Sequence, residues 1–355
     1  PAFCLNLYKE SGLDITAYSY SINSKNNQII NRKYGDIKEI VFPSEINYRT
    51  FSISIRYFLK ILLNSRDFKY LHLQHPDPFS GITILISKLF NSKLKILITW
   101  HAEIYKSYYL FAPFLFLIDI LLFCSSTKIV YFTPFHVKDS FLSKFYFLRK
   151  KIIIIPNCID VEKIRKYRLS NNENKKSKGN GTVNIISIGR LVKYKGYEYA
   201  IKACVNVKHS FKYNIIGDGP LKKKLEILIR DLNLEGKVNL LGEITNEEKY
   251  EELNNADIFL FPSISNSEAY GLVQLEAMCF DLPIINTNLN NGVNHLVPPK
   301  IGVTCKPKSI SDITNSLNML IKDKELYNYK VLQIKSHIKK YSIEKMVNNY
   351  KKIFK

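Results

Sequence analysis

Two carboxylates and a glycine form the most chemically suggestive stretch of the chain. In Ser265-Asn-Ser-Glu-Ala-Tyr-Gly-Leu-Val-Gln-Leu-Glu276 a polar loop carrying Glu268 runs through Tyr270 into Gly271, where an apolar helical pattern carrying Glu276 begins. A helix start offers backbone N–H groups without intrahelical partners and the positive end of a dipole, so the amides at Gly271, Leu272 and Val273 suit a phosphate. Glu268 can accept hydrogen bonds from sugar hydroxyls, and Glu276 can take the two vicinal hydroxyls of a ribose. A phosphate flanked by two hydroxyl-rich rings is a nucleotide sugar. Taken alone, the pair also reads as two solvated glutamates beside a helix, so its partners decide.

The first partner is Gly189-Arg-Leu-Val-Lys-Tyr-Lys-Gly196, directly after the apolar run Ile185–Ile188. A glycine at a strand end lets backbone approach a ligand, and Arg190 and Lys195 place two cations at the crevice above the carboxyl ends of the strands. Such cations neutralise a leaving diphosphate, a task that a metal performs elsewhere. Gly217-Asp-Gly-Pro220 is a tight turn opening a helix, read first as scaffold, with Asp218 as its cap. His101, in Thr99-Trp-His-Ala-Glu103, ends another strand, as does His75-Pro-Asp-Pro78.

With seven residues between them, Glu268 and Glu276 resemble the E-x7-E motif of retaining glycosyltransferases of the GT-B fold, and the chain looks like a member of family 4 (group 1) of those enzymes, of the bacterial surface-polysaccharide type. Gly189 to Gly196 resembles the family's G-R-(x)n-K-G element. The resemblance implies that Arg190 and Lys195 stabilise the leaving diphosphate, that Glu276 holds ribose, and that Glu268 and His101 position the hexose. It also implies donor contacts from Gly189, Gly217, Tyr270, Gly271, Leu272 and Val273, a nucleobase near Leu241, Gly242 and Ile244, and acceptor contact at Glu103. Cys158 stands where the family's I-P-N-G loop has glycine.

Strands rich in Ile, Leu and Tyr alternate with helices, as in parallel, doubly wound sheets. Strands are expected at residues 13–20, 70–74, 95–100, 129–133 and 152–155, then at 183–188, 213–216, 238–241 and 258–261. Helices are expected over 51–63, 82–90, 221–232, 247–254 and 343–354. Residues 1–11 read as a helix without a preceding strand, so the first strand and its Gly-rich loop are expected to be missing. The apolar stretch Tyr108 to Cys124, broken by Pro113 and Asp119, reads as a half-buried helix or as a face dipping into a membrane interface; its length and central Asp argue against a bilayer span.

At 355 residues the chain suits two domains. The expected division is residues 1–160, an acceptor-side Rossmann-like domain; 161–182, a polar linker; 183–335, a nucleotide-sugar-binding Rossmann-like domain; and 336–355, a C-terminal helix packing back on the first domain. The formal charge of +21 favours an anionic partner, although abundant Lys, Asn, Ile and Tyr beside 14 Gly and 13 Pro also fit a coding bias. Six scattered cysteines without C-x-x-C spacing read as free thiols of a reducing cytosol. His72, His75, His101 and His136 share no metal-site spacing, neither Walker loop nor G-x-G-x-x-G occurs, and no signal peptide is visible.

These readings converge on an α/β chain of the GT-B type, two Rossmann-like domains facing across a cleft. The expected activity is retaining, metal-independent transfer of a hexose from a UDP- or GDP-hexose to a saccharide or lipid-linked acceptor, with no further cofactor. The expected setting is the cytoplasm, with peripheral contact to the anionic inner face of the membrane and no nucleic-acid partner. The alternatives are a nucleotide-sugar epimerase or phosphorylase of the same fold, or a non-enzymatic basic protein binding anionic lipid or nucleic acid.

Overall fold

The computed structural model describes residues 14–21, 28–34, 37–48, 51–101, 111–140, 144–170, 181–268 and 270–354. The expected N-terminal helix, Glu103 and residues 171–180 of the expected linker lie outside them. The chain divides into two compact units, Pro1–Pro156 with Met346–Lys355, and Asn157–Lys345.

In the first unit β6 (Tyr70–His75), β7 (Lys95–Trp100), β8 (Lys128–Tyr131) and β9 (Ile152–Ile154) form a parallel sheet in that order. Its centre is a layer of Ile96, Ile98, Ile129 and Tyr131, which are fully buried against the helices Pro78–Phe90 and Ala112–Ser125. Burial on both faces is why the central strands β7 and β8 read as near-continuous apolar runs. A separate sheet in the order β1-β3-β2 pairs β1 (Thr16–Ser21) parallel and β2 (Ile30–Tyr34) antiparallel to β3 (Ile37–Pro43), and β4 (Ile46–Tyr48) forms a hairpin with β5 (Phe51–Ile53). Residues 51–53, expected as the first turn of a helix, are therefore strand, and the helix starts at Ile55, where the Ser54 hydroxyl caps the Tyr57 amide.

The helix Ile343–Phe354 is found over the expected residues, and its end packs within the first unit: the Tyr350 hydroxyl lies 2.9 Å from Thr99 Oγ1, and Phe354 stands edge-on to Tyr70. In Ala112–Ser125 one face is buried through Leu115, Ile118, Leu122 and Phe123, whereas Phe111, Phe114, Leu117 and Leu121 are about half exposed. Asp119, the polar interruption of this helix, is buried against His75 at 2.9 Å, and His75 stacks on Trp100. Among the described residues no helix is long and apolar enough to cross a membrane.

The second unit is one six-stranded parallel sheet in the order β12-β11-β10-β13-β14-β15, built from β10 (Val183–Ile188), β11 (Phe211–Ile216), β12 (Val238–Gly242), β13 (Ile258–Phe261), β14 (Ile284–Thr287) and β15 (Gly302–Cys305). The order runs outward from β10 in one direction and returns to its other side through β13, so the winding reverses between these two strands. In open α/β sheets, ligands bind beyond the carboxyl ends of strands at such a reversal. The expected linker is corrected in part: residues 161–170 form a helix that buries Val161 and Ile164 and anchors Arg168 to Asp281 at 2.6 Å. Its other faces are polar, so it reads as surface chain rather than as an amphipathic helix.

Candidate active site at the switch point of the second unit

The loops after β10 and β13 meet. The Ile264 amide donates to the Tyr194 carbonyl at 2.7 Å, and Gly196, with φ +70°, presses so close to Pro262 that a Cβ would collide with the Pro262 carbonyl oxygen. Gly189, with φ +151°, gives a similar clearance, since a Cβ there would stand 3.1 Å from the Lys195 ammonium. That clearance lets Lys195 fold back over the strand end.

Lys195 Nζ lies 2.5 Å from Glu268 Oε2, with side chains only 12% and 11% exposed. The cation also faces the rings of Phe261 and Tyr194, 5.1 and 5.6 Å from their centroids. Ser263 Oγ lies 3.4 Å from the same carboxylate oxygen, and the Glu268 carbonyl accepts from Asn291 Nδ2 at 2.7 Å. Burial, and then the nearby Glu268 carboxylate, push the Tyr197 hydroxyl well above its ordinary value, so it stays a donor, here to the Gly189 carbonyl. Arg190, in the same loop as Lys195, is exposed and has no ion-pair partner among the described residues.

Gly217 donates its amide to the Gly242 carbonyl at 2.7 Å, so the ends of β11 and β12 are tied together and the Gly242 carbonyl is partly occupied. Leu241 and Ile244 flank it, half-buried. Asp218 does not cap the helix Lys222–Asp231; it bonds the next amide and faces Lys222 at 3.5 Å. Gly271 takes φ +76° ahead of the helix Val273–Cys279, whose Leu272 start carries no side-chain cap. Tyr270 acts as a brace: its ring is buried and its hydroxyl donates to the Asn157 carbonyl at 3.1 Å. Glu276 does not join Lys195 and Glu268; its Oε2 pairs with Lys249 Nζ at 2.8 Å. No sequence pattern singled out Lys249.

In the first unit His101 Nε2 lies 2.9 Å from Gln74 Oε1, the Gln74 amide nitrogen is 3.1 Å from His72 Nε2, and His72 contacts Thr99 Oγ1 at 2.7 Å. With Gln74 donating to His72, its carbonyl oxygen takes the proton of His101 Nε2, which leaves Nδ1 of His101 as an acceptor. Burial, with smaller contributions from His75 and His136, lowers His101 to about 4, so this imidazole is neutral at physiological pH. His75 and Asp77 of the expected cleft loop are committed internally, His75 to Asp119 and Asp77 to the start of the helix Pro78–Phe90. Among the described residues no group of three His, Cys, Asp or Glu side chains could hold a metal ion.

The family model for Glycosyl transferases group 1 matches residues 170–347, which span this site. An uncharacterized glycosyltransferase of Haemophilus influenzae is 31% identical over 173 residues, 48% of this chain and 48% of its own length. The putative colanic acid biosynthesis glycosyltransferase WcaL of Escherichia coli is 36% identical over 120 residues, 32% of this chain and 29% of its own. The matched stretches thus span half or less of these curated relatives. Among solved structures, HepE of Anabaena in complex with UDP and glucose superposes with a TM-score of 0.69 at 14% identity, covering 99% of this chain and 95% of that one. With a family match over half its length and a GT-B neighbour along nearly all of it, the chain belongs to the group 1 glycosyl transferases and has the GT-B fold.

Proposed function

We propose that the chain is a retaining hexosyltransferase that moves a hexose from a nucleoside-diphosphate sugar to a hydroxyl of a saccharide or lipid-linked saccharide in cell-surface polysaccharide biosynthesis. The observation that carries this reading is the Lys195–Glu268 pair, held over the ends of β10 and β13 at the switch point of a doubly wound sheet. A buried cation and a buried carboxylate side by side suit a ligand that presents a phosphate and a hydroxyl at adjacent positions. The UDP and glucose bound to the Anabaena neighbour and the colanic acid role in the name of the Escherichia coli relative support the same reading.

In this proposal Lys195 and Arg190 compensate the charge that develops on the departing diphosphate, so no metal is required for that step. As Lys195 engages the phosphate, Glu268 accepts from hexose hydroxyls. His101 offers the Nδ1 lone pair of a neutral imidazole to a substrate hydroxyl. No side chain is assigned as a nucleophile; retention follows a front-face route in which the leaving phosphate oxygen takes the acceptor proton. Glu276 holds the ribose. The net charge of +21 and the half-exposed apolar face of Ala112–Ser125 support a cytoplasmic setting against an anionic membrane face.

The test is incubation with UDP- and GDP-hexoses, with and without a panel of saccharide and polyprenyl-linked acceptors. Acceptor-dependent release of nucleoside diphosphate with an α-configured product from an α-linked donor supports the reading. Release of free sugar or an epimerised donor without acceptor points to the epimerase alternative and contradicts it.

A further inference from the structure

Lys249 and Glu276 occupy the first turns of two helices, Asn246–Asn255 and Val273–Cys279, that follow β12 and β13. Their side chains are 17% and 19% exposed, with Nζ 2.8 Å from Oε2. A lysine in a first turn meets the positive end of the helix dipole and is misplaced unless an anion answers it. The same turn carries Glu247 and Glu248, and the anion that Lys249 pairs with is Glu276. The lysine is held further by Tyr250, whose ring centroid lies 5.1 Å from Nζ and which packs against Tyr167 and Phe280. Burial, then the Glu276 charge, raise the Tyr250 hydroxyl to about 12, in keeping with a shared, poorly solvated pocket.

The two oxygens of Glu276 are unlike. Oε2 is sealed from solvent, and among the described residues its one close partner is the Lys249 ammonium, an ionic contact outside hydrogen-bond geometry. Oε1 forms no hydrogen bond among the described residues and is not sealed off. The carboxylate therefore cannot turn freely: one oxygen is anchored and the other is left to a ligand.

We propose that Lys249 is a positioning residue that sets sugar specificity in the nucleotide, by anchoring Oε2 so that Oε1 accepts from the vicinal ribose hydroxyls. This rests on the reading of Glu276 as the ribose acceptor. A hydrogen bond to a fixed, charged acceptor discriminates strongly against an analogue that lacks the hydroxyl, whereas a carboxylate free to rotate or take up a proton does not.

The experiment measures binding of UDP and GDP beside their 2′-deoxy and 3′-deoxy forms. The parent protein should prefer the ribonucleotide over at least one deoxy form by about tenfold, the size expected for a charged hydrogen bond. The stem-preserving Lys249→Met and the neutral Lys249→Gln should compress that ratio to roughly twofold, and Lys249→Arg should restore most of it. A purely structural role for Lys249 would weaken ribo and deoxy forms alike and leave the ratio unchanged, which overturns the inference. If the ratio collapses in Glu276→Gln but survives in both neutral Lys249 variants, the inference fails and the ribose reading stands. If the parent binds neither nucleotide, shows no preference, or keeps its preference in Glu276→Gln, the ribose reading fails and the inference falls with it.

Discussion

At the scale of single residues, the chemistry rests on which groups share a proton or a charge. His72, His101 and His337 are buried neutral, with burial lowering them from 6.5 to about 3, about 4 and about 4. The unfolded chain takes up protons near 6.5 that the folded one refuses. Their contribution is therefore fully present above about pH 6.5 and is lost as the pH falls toward 4. The melting temperature should drop between pH 7 and pH 5, with a shallower slope in His72→Gln; a melting temperature that rises on acidification would contradict the assignment. Residue types and spacing were enough to single out Glu268, Lys195 and His101. Their partners on other elements were not legible. Nothing in the local sequence ties Lys249 to Glu276 or Gln74 to His101, because each pair is made by packing between elements far apart in the chain.

At the scale of elements, the switch point depends on two loops lying close enough to touch. Gly196→Ala adds a Cβ at φ +70° against the Pro262 carbonyl, a strained and obstructed position. It should cost about 1–3 kcal/mol in chemical denaturation and weaken nucleotide binding more than a remote substitution of equal cost. Unchanged stability would mean that the loops are not in the contact described. The buried parallel strands were readable because both faces are apolar. β2 was not, since all five of its residues are exposed and alternate no apolar face. The helix over residues 161–170 is hard to read from sequence for a related reason: it buries just two apolar side chains and is held by Arg165 and Arg168 on Asp281, a charge pairing that periodicity cannot reveal.

At the scale of the whole molecule, the strong positive charge bears on the proposed membrane contact. The charge of +21 and the apolar face at Phe114, Leu117 and Leu121 predict sedimentation with vesicles containing anionic lipid at low salt. Retention should fall steeply with added salt and drop in Leu117→Glu/Leu121→Glu; vesicles that fail to retain the parent protein would remove the membrane from the account. The GT-B architecture was legible from the repeated strand–helix alternation and one motif, and the last ten residues, Met346–Lys355, part of the helix expected to return to the first domain, count with the first unit. The central claim is that Lys195 and Glu268 hold a nucleoside diphosphate sugar at the switch point. Titration calorimetry with UDP, GDP and the matching hexose donors tests it most directly. One nucleotide series should bind, Lys195→Met should weaken it by about 2–4 kcal/mol through loss of a buried charge contact, and His101→Ala should leave it intact. Binding indifferent to Lys195, or no binding by any nucleotide, would show that this pair does not hold the donor.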